Sequence, residues 1–194
     1  MGDFGFYIKL GLEHVLDITA YDHILFLAAL AIPFTFSLWK RILALVTIFT
    51  VAHCLSLGLA VFNIVELNPQ LIEFLIPITI FVTASFNVKD ALQGNAHRTL
   101  IVQSTATAFF GLIHGLGFSN YFKMLMAGED EKIVPLLGFA AGIEISQVVV
   151  IMGVLLAALL VQAGLKVKQK HFILATSLSI VAITIPMIYA TWPF

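Results

Sequence analysis

Six stretches of this chain are long, apolar and almost free of charge: 21–38, 42–62, 71–88, 100–122, 134–161 and 172–191. A helix rising ~1.5 Å per residue needs about 20 such residues to cross the hydrocarbon layer of a bilayer. A chain of 194 residues that is 60% hydrophobic and 11% charged has no soluble core large enough to hide that surface. Lipid is therefore its expected solvent. The breaks between runs carry turn or charge chemistry: Trp39-Lys40-Arg41, Asn68-Pro69, Gly94-Asn95, Gly128-Glu129-Asp130-Glu131, and Lys166, Lys168 and Lys170. Ahead of the first run, Phe4–Leu16 reads as a short interfacial helix. The expected fold is an all-α membrane protein over residues 1–194. It would be one transmembrane domain, a bundle of about six transmembrane helices with a short N-terminal interfacial helix. Pro33, Pro77 and Pro186 fall inside runs, which membrane helices tolerate because neighbours re-satisfy the freed carbonyl.

Charge sets the expected orientation. Lys40, Arg41, Lys89, Arg98, Lys166, Lys168 and Lys170 follow runs one, three and five, and only Lys9, Lys123 and Lys132 lie on the other side. Positive residues stay in the cytoplasm, so both termini are expected outside it. A net charge of −1 gives no reason to expect a nucleic-acid partner, and the single Cys54 excludes an internal disulfide. The N-terminal stretch holds Asp3 and Glu13 without a basic segment before an apolar run, so no cleavable signal peptide is expected.

Ionisable groups inside a membrane are expensive and mark function. Here they are His14, Asp17, Asp22, His23, His53, His114 and Glu144, with Gln147 beside the last. Counted from the outer ends of their runs, His53, His114 and Glu144 sit at similar depth, roughly 12–15 Å in. Asp22 and His23 begin run one, and His14 and Asp17 precede it. Four segments thus send polar groups toward one outer-leaflet region, and the inner half of the runs has no ionisable residue. Imidazole with carboxylate suits zinc, nickel, copper or iron, and a carboxylate such as Asp17, Asp22 or Glu144 could orient a bound histidine or ligate directly. Blander readings stand beside these. A single intramembrane histidine can simply bond between helices, and Asp22 serves as well as a helix N-cap. His14 could be an ordinary interfacial residue. No basic residue lies at the depth of Glu144, so a proton, a cation or a histidine has to neutralise it. Gly111-x-x-x-Gly115 beside His114, and Gly138, Ala141 and Gly142 beside Glu144, let helices approach closely. Cys54 points about 100° away from His53 and reads as a small buried residue.

At these residues the chain resembles the HupE/UreJ family of small bacterial membrane proteins. The stretches that carry the resemblance are Gly11-Leu-Glu-His14-Val-Leu, Asp22-His23-Ile-Leu-Phe-Leu and Phe49-Thr-Val-Ala-His53-Cys-Leu-Ser-Leu. Glu73 and the run after it follow, then Phe110-Gly-Leu-Ile-His114-Gly-Leu-Gly-Phe118 and Phe139-Ala-Ala-Gly-Ile-Glu144-Ile-Ser-Gln147. The resemblance implies a bacterial inner-membrane protein that moves a divalent metal, classically nickel. It implies metal contact for His14, Asp22, His23, His53, His114 and Glu144. Two departures leave the metal open between nickel and zinc: a long His14-to-Asp22 gap that contains Asp17, and Cys54 where many members have serine.

Three functions compete. A permease needs a path through the inner half, for which Thr79, Thr83 and Asn87 in run three, Gln103 and Thr107 in run four, and Thr47 and Thr50 in run two offer polar side chains that could line a route or could bond back to their own helices. A zinc-dependent intramembrane hydrolase would draw three ligands from the histidines and use Glu144 or Asp22 as base, although no motif such as His-Glu-x-x-His is present. A membrane subunit with a structural metal is the third, with 127–132 as a loop that could meet a partner. The resemblance favours the permease.

Overall fold

The computed structural model describes residues 4–94, 100–128 and 131–193. Every regular element among them is helical: α1 (Phe4–Leu16), α2 (Asp22–Ala31), a 3-10 turn (Phe36–Leu38), α3 (Trp39–Val61), α4 (Pro69–Gln93), α5 (Leu100–Gly117), α6 (Ser119–Leu125), α7 (Ile133–Gly164) and α8 (Gln169–Ala190). Five segments are long and apolar enough to cross a membrane: Phe36–Val61, Pro69–Gln93, Leu100–Gly117, Ile133–Gly164 and Gln169–Ala190. The chain is a multi-pass membrane protein. His97, Arg98, Asn95, Glu129 and Asp130 lie outside the described residues.

Local chemistry sets the ends. The Asn68 side chain accepts from the Gln70 N–H at 2.9 Å with Pro69 at the first helical position, and Gly94 closes α4 in the left-handed region at φ 71°. These are standard start and stop signals. Pro77 and Pro186 lie inside α4 and α8, as expected.

Run one is the clear correction. It is not a span: α2 stops at Ala31 after 10 residues, about 15 Å of helix. Pro33, which lacks an N–H and restricts the residue before it, follows at once. Run four also divides, because α5 ends at Gly117 and α6 starts anew at Ser119.

The contacts between helices give their directions. Gly111 lies against the Phe49 carbonyl and Gly115 against the His53 carbonyl and Ser56, so α5 runs beside α3 in the same direction. Gly138 faces Phe4 and Tyr7, and Gly142 faces the Ile8 carbonyl and Gly11, so α1 runs beside α7 in the same direction. These positions have no room for a Cβ. Gly58 faces Leu136 while Thr50 meets Glu144, so α7 opposes α3. The α1 helix was expected to lie at the interface. Instead it buries Tyr7, Gly11 and Val15, its Gly11 meeting the α7 backbone.

Along α4, Thr79 bonds His114 next to His23, and Asn87 donates to the Ala29 carbonyl at 2.7 Å. α2 therefore runs alongside α4, in its direction. α8 closes the bundle against α4, with Trp192 on Phe74 at one end and Gln169 donating to the Pro33 carbonyl at the other.

Candidate metal centre

Four histidines from four helices meet in the interior. His53 of α3, His114 of α5 and His23 of α2 are 0%, 1% and 4% exposed. His14, near the end of α1, stacks among them. Ring centroids are 4.5 Å apart for His14–His23, 5.7 Å for His14–His53, 5.7 Å for His23–His53 and 5.2 Å for His23–His114. Two groups bring ligand atoms within 4.8 Å of one another, His14–His23–His53 and Asp22–His23–His114, with His23 common to both.

The hydrogen bonds orient the rings. Asp22 Oδ1 accepts from the His23 backbone N–H at 2.8 Å and lies 3.1 Å from His23 Nδ1. A proton on Nδ1 leaves the Nε2 lone pair facing the cluster. Thr79 Oγ1 donates its only hydrogen to the Ile76 carbonyl at 2.7 Å, so the 3.2 Å contact with His114 Nε2 takes its hydrogen from the ring. That leaves the lone pair of His114 on Nδ1.

The buried nitrogens without a protein partner include His14 Nε2, His23 Nε2, His53 Nδ1, His53 Nε2 and His114 Nδ1. A buried polar group left unpaired costs about 1–3 kcal/mol. So many converging in one cluster fit a centre built for a cation. Phe118 lies 4.1 Å from the His14 ring and stacks on Phe139, while Phe26 and Phe49 back His114 at 5.4 Å each. These walls lower the local dielectric and strengthen any ion–ligand interaction.

A cleft of about 390 Å³ reaches the centre, lined by His14, Asp22, His23 and His114, with Glu13, Asp17 and Glu73 also on its walls. Asp17, expected beside the ligands, is exposed and accepts from the Thr19 N–H at 2.8 Å and the Thr19 hydroxyl at 2.6 Å. Those bonds, the hydroxyl first, hold its carboxyl below the usual range. Asp22, expected either as cap or as ligand, does not cap α2: it is the helix's first residue, and its carboxylate faces His23.

Glu144 and Gln147 stand apart. Glu144 accepts from the Thr47 hydroxyl at 2.6 Å and the Thr50 hydroxyl at 2.5 Å, and Gln147 Oε1 accepts from Thr50 at 2.8 Å. Neither belongs to the two histidine groups. Counting depth from the helix ends put Glu144 level with His53. The antiparallel pairing of α3 with α7 sets it opposite Thr47 and Thr50, one turn further along.

At the other end of the bundle lies a cavity of about 720 Å³ lined by Arg41, Asn87, Asp90, Gln103, Gln169 and Lys170 among others. The Arg41 guanidinium donates to Gln103 Oε1 at 2.6 Å. The stripe Thr79, Thr83 and Asn87 lies along α4 between the two sites: Thr79 bonds His114, Thr83 bonds back to the Thr79 carbonyl at 2.8 Å, and Asn87 lines this cavity. No single motif marked the cavity, because its lining comes from four separate stretches of the chain.

The family model described as HupE / UreJ protein matches residues 1–192. No curated protein and no solved structure matches the chain.

Proposed function

The chain belongs to the HupE/UreJ family, and from that premise we propose that it carries a divalent metal ion, nickel or zinc, across the bacterial inner membrane. The family is associated with metal transport, and the histidine–aspartate groups could hold such an ion. The observation that supports transport is that one helix, α4, touches both sites: its Thr79 bonds His114 and, two turns along, its Asn87 lines the second cavity. In this reading the cleft faces the outside and both termini are non-cytoplasmic. Lys40, Arg41, Lys89, Lys166, Lys168 and Lys170 gather at the cytoplasmic end. Helices α1 and α2 act in series as one broken crossing, and the cargo binds at the break, as in transporters built on discontinuous helices.

Each residue has a part. Glu13, Asp17 and Glu73 draw the hydrated cation to the cleft. His14, His23, His53 and His114 exchange its water for imidazole nitrogen, with Asp22 orienting His23 and available as a further ligand. The hydroxyl and amide groups of α4 receive it on the inner side, and the aromatic pair Phe26–Phe49, stacked at 4.9 Å, closes the way when the centre is not moving cargo.

A zinc-dependent hydrolase is a second reading, favoured by the wide cleft over a three-histidine group. Its base would be Asp22, which touches the cluster, and not Glu144.

The test is metal content of the purified protein by elemental mass spectrometry, followed by uptake of that metal into sealed proteoliposomes. His53→Ala and His114→Ala are expected to lose both tight metal and flux, and Lys166→Ala neither. One retained zinc with no flux in the unmodified protein moves the assignment to the hydrolase or to a structural metal. Equal metal in all variants removes the centre.

A further inference from the structure

The bundle holds one more intramembrane acid, on the other side of the α3 helix's polar groups from the histidines. Glu144 lies about 16 Å along α7 from Ile133 at ~1.5 Å per residue, deep in a crossing segment. No Lys, Arg or His among the described residues makes an ion pair with it. Everything bonded to it is neutral oxygen: Thr47 Oγ1 at 2.6 Å and Thr50 Oγ1 at 2.5 Å, with Gln147 Oε1 one bond further at 2.8 Å from Thr50. Thr50 and Gln147 are buried and Glu144 half-buried. The Leu43 carbonyl lies 3.2 Å from Thr47 Oγ1 and adds an oxygen at the edge.

One feature of this cluster calls for a guest. A lone carboxylate in low dielectric is too costly to leave uncompensated. A single positive charge among these oxygens answers it. Gln147 Nε2 is buried without a partner, and with its amide turned over it donates to Thr50 Oγ1, which leaves the Thr50 hydrogen for Glu144. A set of oxygens bearing one negative charge suits a hard cation of charge one, whereas the imidazole cluster suits a borderline divalent metal.

We infer that Glu144, Thr47, Thr50 and Gln147 form a second ion site, for a monovalent cation (a proton or sodium), separate from the histidine centre. The two sites share α3, which contributes Thr47 and Thr50 to one and His53 to the other. They also share α7, whose Phe139 packs on the rings of both His14 and His53. Occupancy of one therefore bears on the elements that build the other. The titratable groups around Glu144 are Cys54 of α3 and, one turn away, the histidines. The Lys9–Glu13 pair of α1 is on that helix's exposed face. Use of this ion to drive the metal rests on the permease reading, but its binding does not.

The experiment compares the unmodified protein with Glu144→Gln, Thr50→Val and Thr50→Ser in metal-loaded proteoliposomes under an imposed sodium gradient, a pH gradient, or neither. One gradient is expected to speed metal flux several-fold in the unmodified protein. A sodium response identifies sodium and a pH response the proton. Glu144→Gln and Thr50→Val should lose that response while keeping metal bound, and Thr50→Ser should retain it. Loss of bound metal in Glu144→Gln overturns the proposal, since Glu144 would then serve the histidine centre. An unchanged gradient response in Glu144→Gln, or none in the unmodified protein that does transport, overturns it too. If no metal crosses under any condition, the permease reading fails by itself. The ion site is then judged by unfolding midpoints in sodium against choline chloride, and across pH. A dependence lost in Glu144→Gln sustains it, and identical behaviour of the two proteins overturns it.

Discussion

His23 is the residue on which the centre turns, because both potential ligand groups include it. Its orientation depends on Asp22, whose carboxylate is 3.1 Å from Nδ1. Removing such an oriented partner typically lowers metal affinity by about 10- to 100-fold. Asp22→Asn is expected to show that loss in a competitive chelator titration, while Asp17→Asn, whose carboxylate is engaged by Thr19, should titrate like the unmodified protein. The four histidines and Asp22 were legible in the sequence because an ionisable group in an apolar run has few reasons to be there. Glu144 was legible as unusual but not as separate. Its distance from a helix end gives depth alone, and its partners depend on how α3 and α7 pair, which no single segment encodes.

Among the helices, the glycines decide how close the imidazoles come. A Cβ at Gly115 would meet the His53 carbonyl and Ser56, while one at Gly153 would meet nothing within 4 Å. Overpacking of this kind usually costs about 1–3 kcal/mol. Gly115→Ala should lower the unfolding midpoint and bind less metal, since it pushes α5 from α3 and parts His114 from the rest. Gly153→Ala should unfold no earlier than the unmodified protein. The Gly111-x-x-x-Gly115 spacing announced this contact in advance. The division of run one was less readable. An apolar count over 21–38 cannot tell one crossing helix from a 10-residue helix, a Pro33 break and a 3-10 turn. What separates them is Pro33, whose effect on the backbone an apolar count does not register.

Across the whole molecule, the histidine cleft and the Arg41–Lys170 cavity lie toward opposite ends, and the buried ring of Phe26, one turn along α2 from His23, packs on Phe49 and His114. Phe26→Ala is expected to leave metal stoichiometry unchanged and to raise passive metal leak through proteoliposomes. An unchanged leak would show that the closure lies elsewhere. The orientation can be checked in intact cells. Gly128→Cys should react with a membrane-impermeant maleimide from outside, and Lys168→Cys only after the membrane is opened, both in a Cys54→Ala background. Composition and the apolar runs made the membrane class plain, but the Arg41–Lys170 cavity depended on the assembled bundle.

The seating of Gly11 against Gly142 also bears on how the molecule is made. A ribosome delivers α1 and α2 first, yet α2 is too short to be retained as a crossing by itself, and the surface that receives α1 does not exist until α7 emerges. The N-terminal segment must therefore wait through most of translation before it is threaded home. A nascent chain truncated before residue 133 has all four histidine-bearing helices but no backbone for α1 to lean on. Its His14 would stay away from the other imidazoles, so the growing protein lacks the His14–His23–His53 group until its fourth long helix is in place.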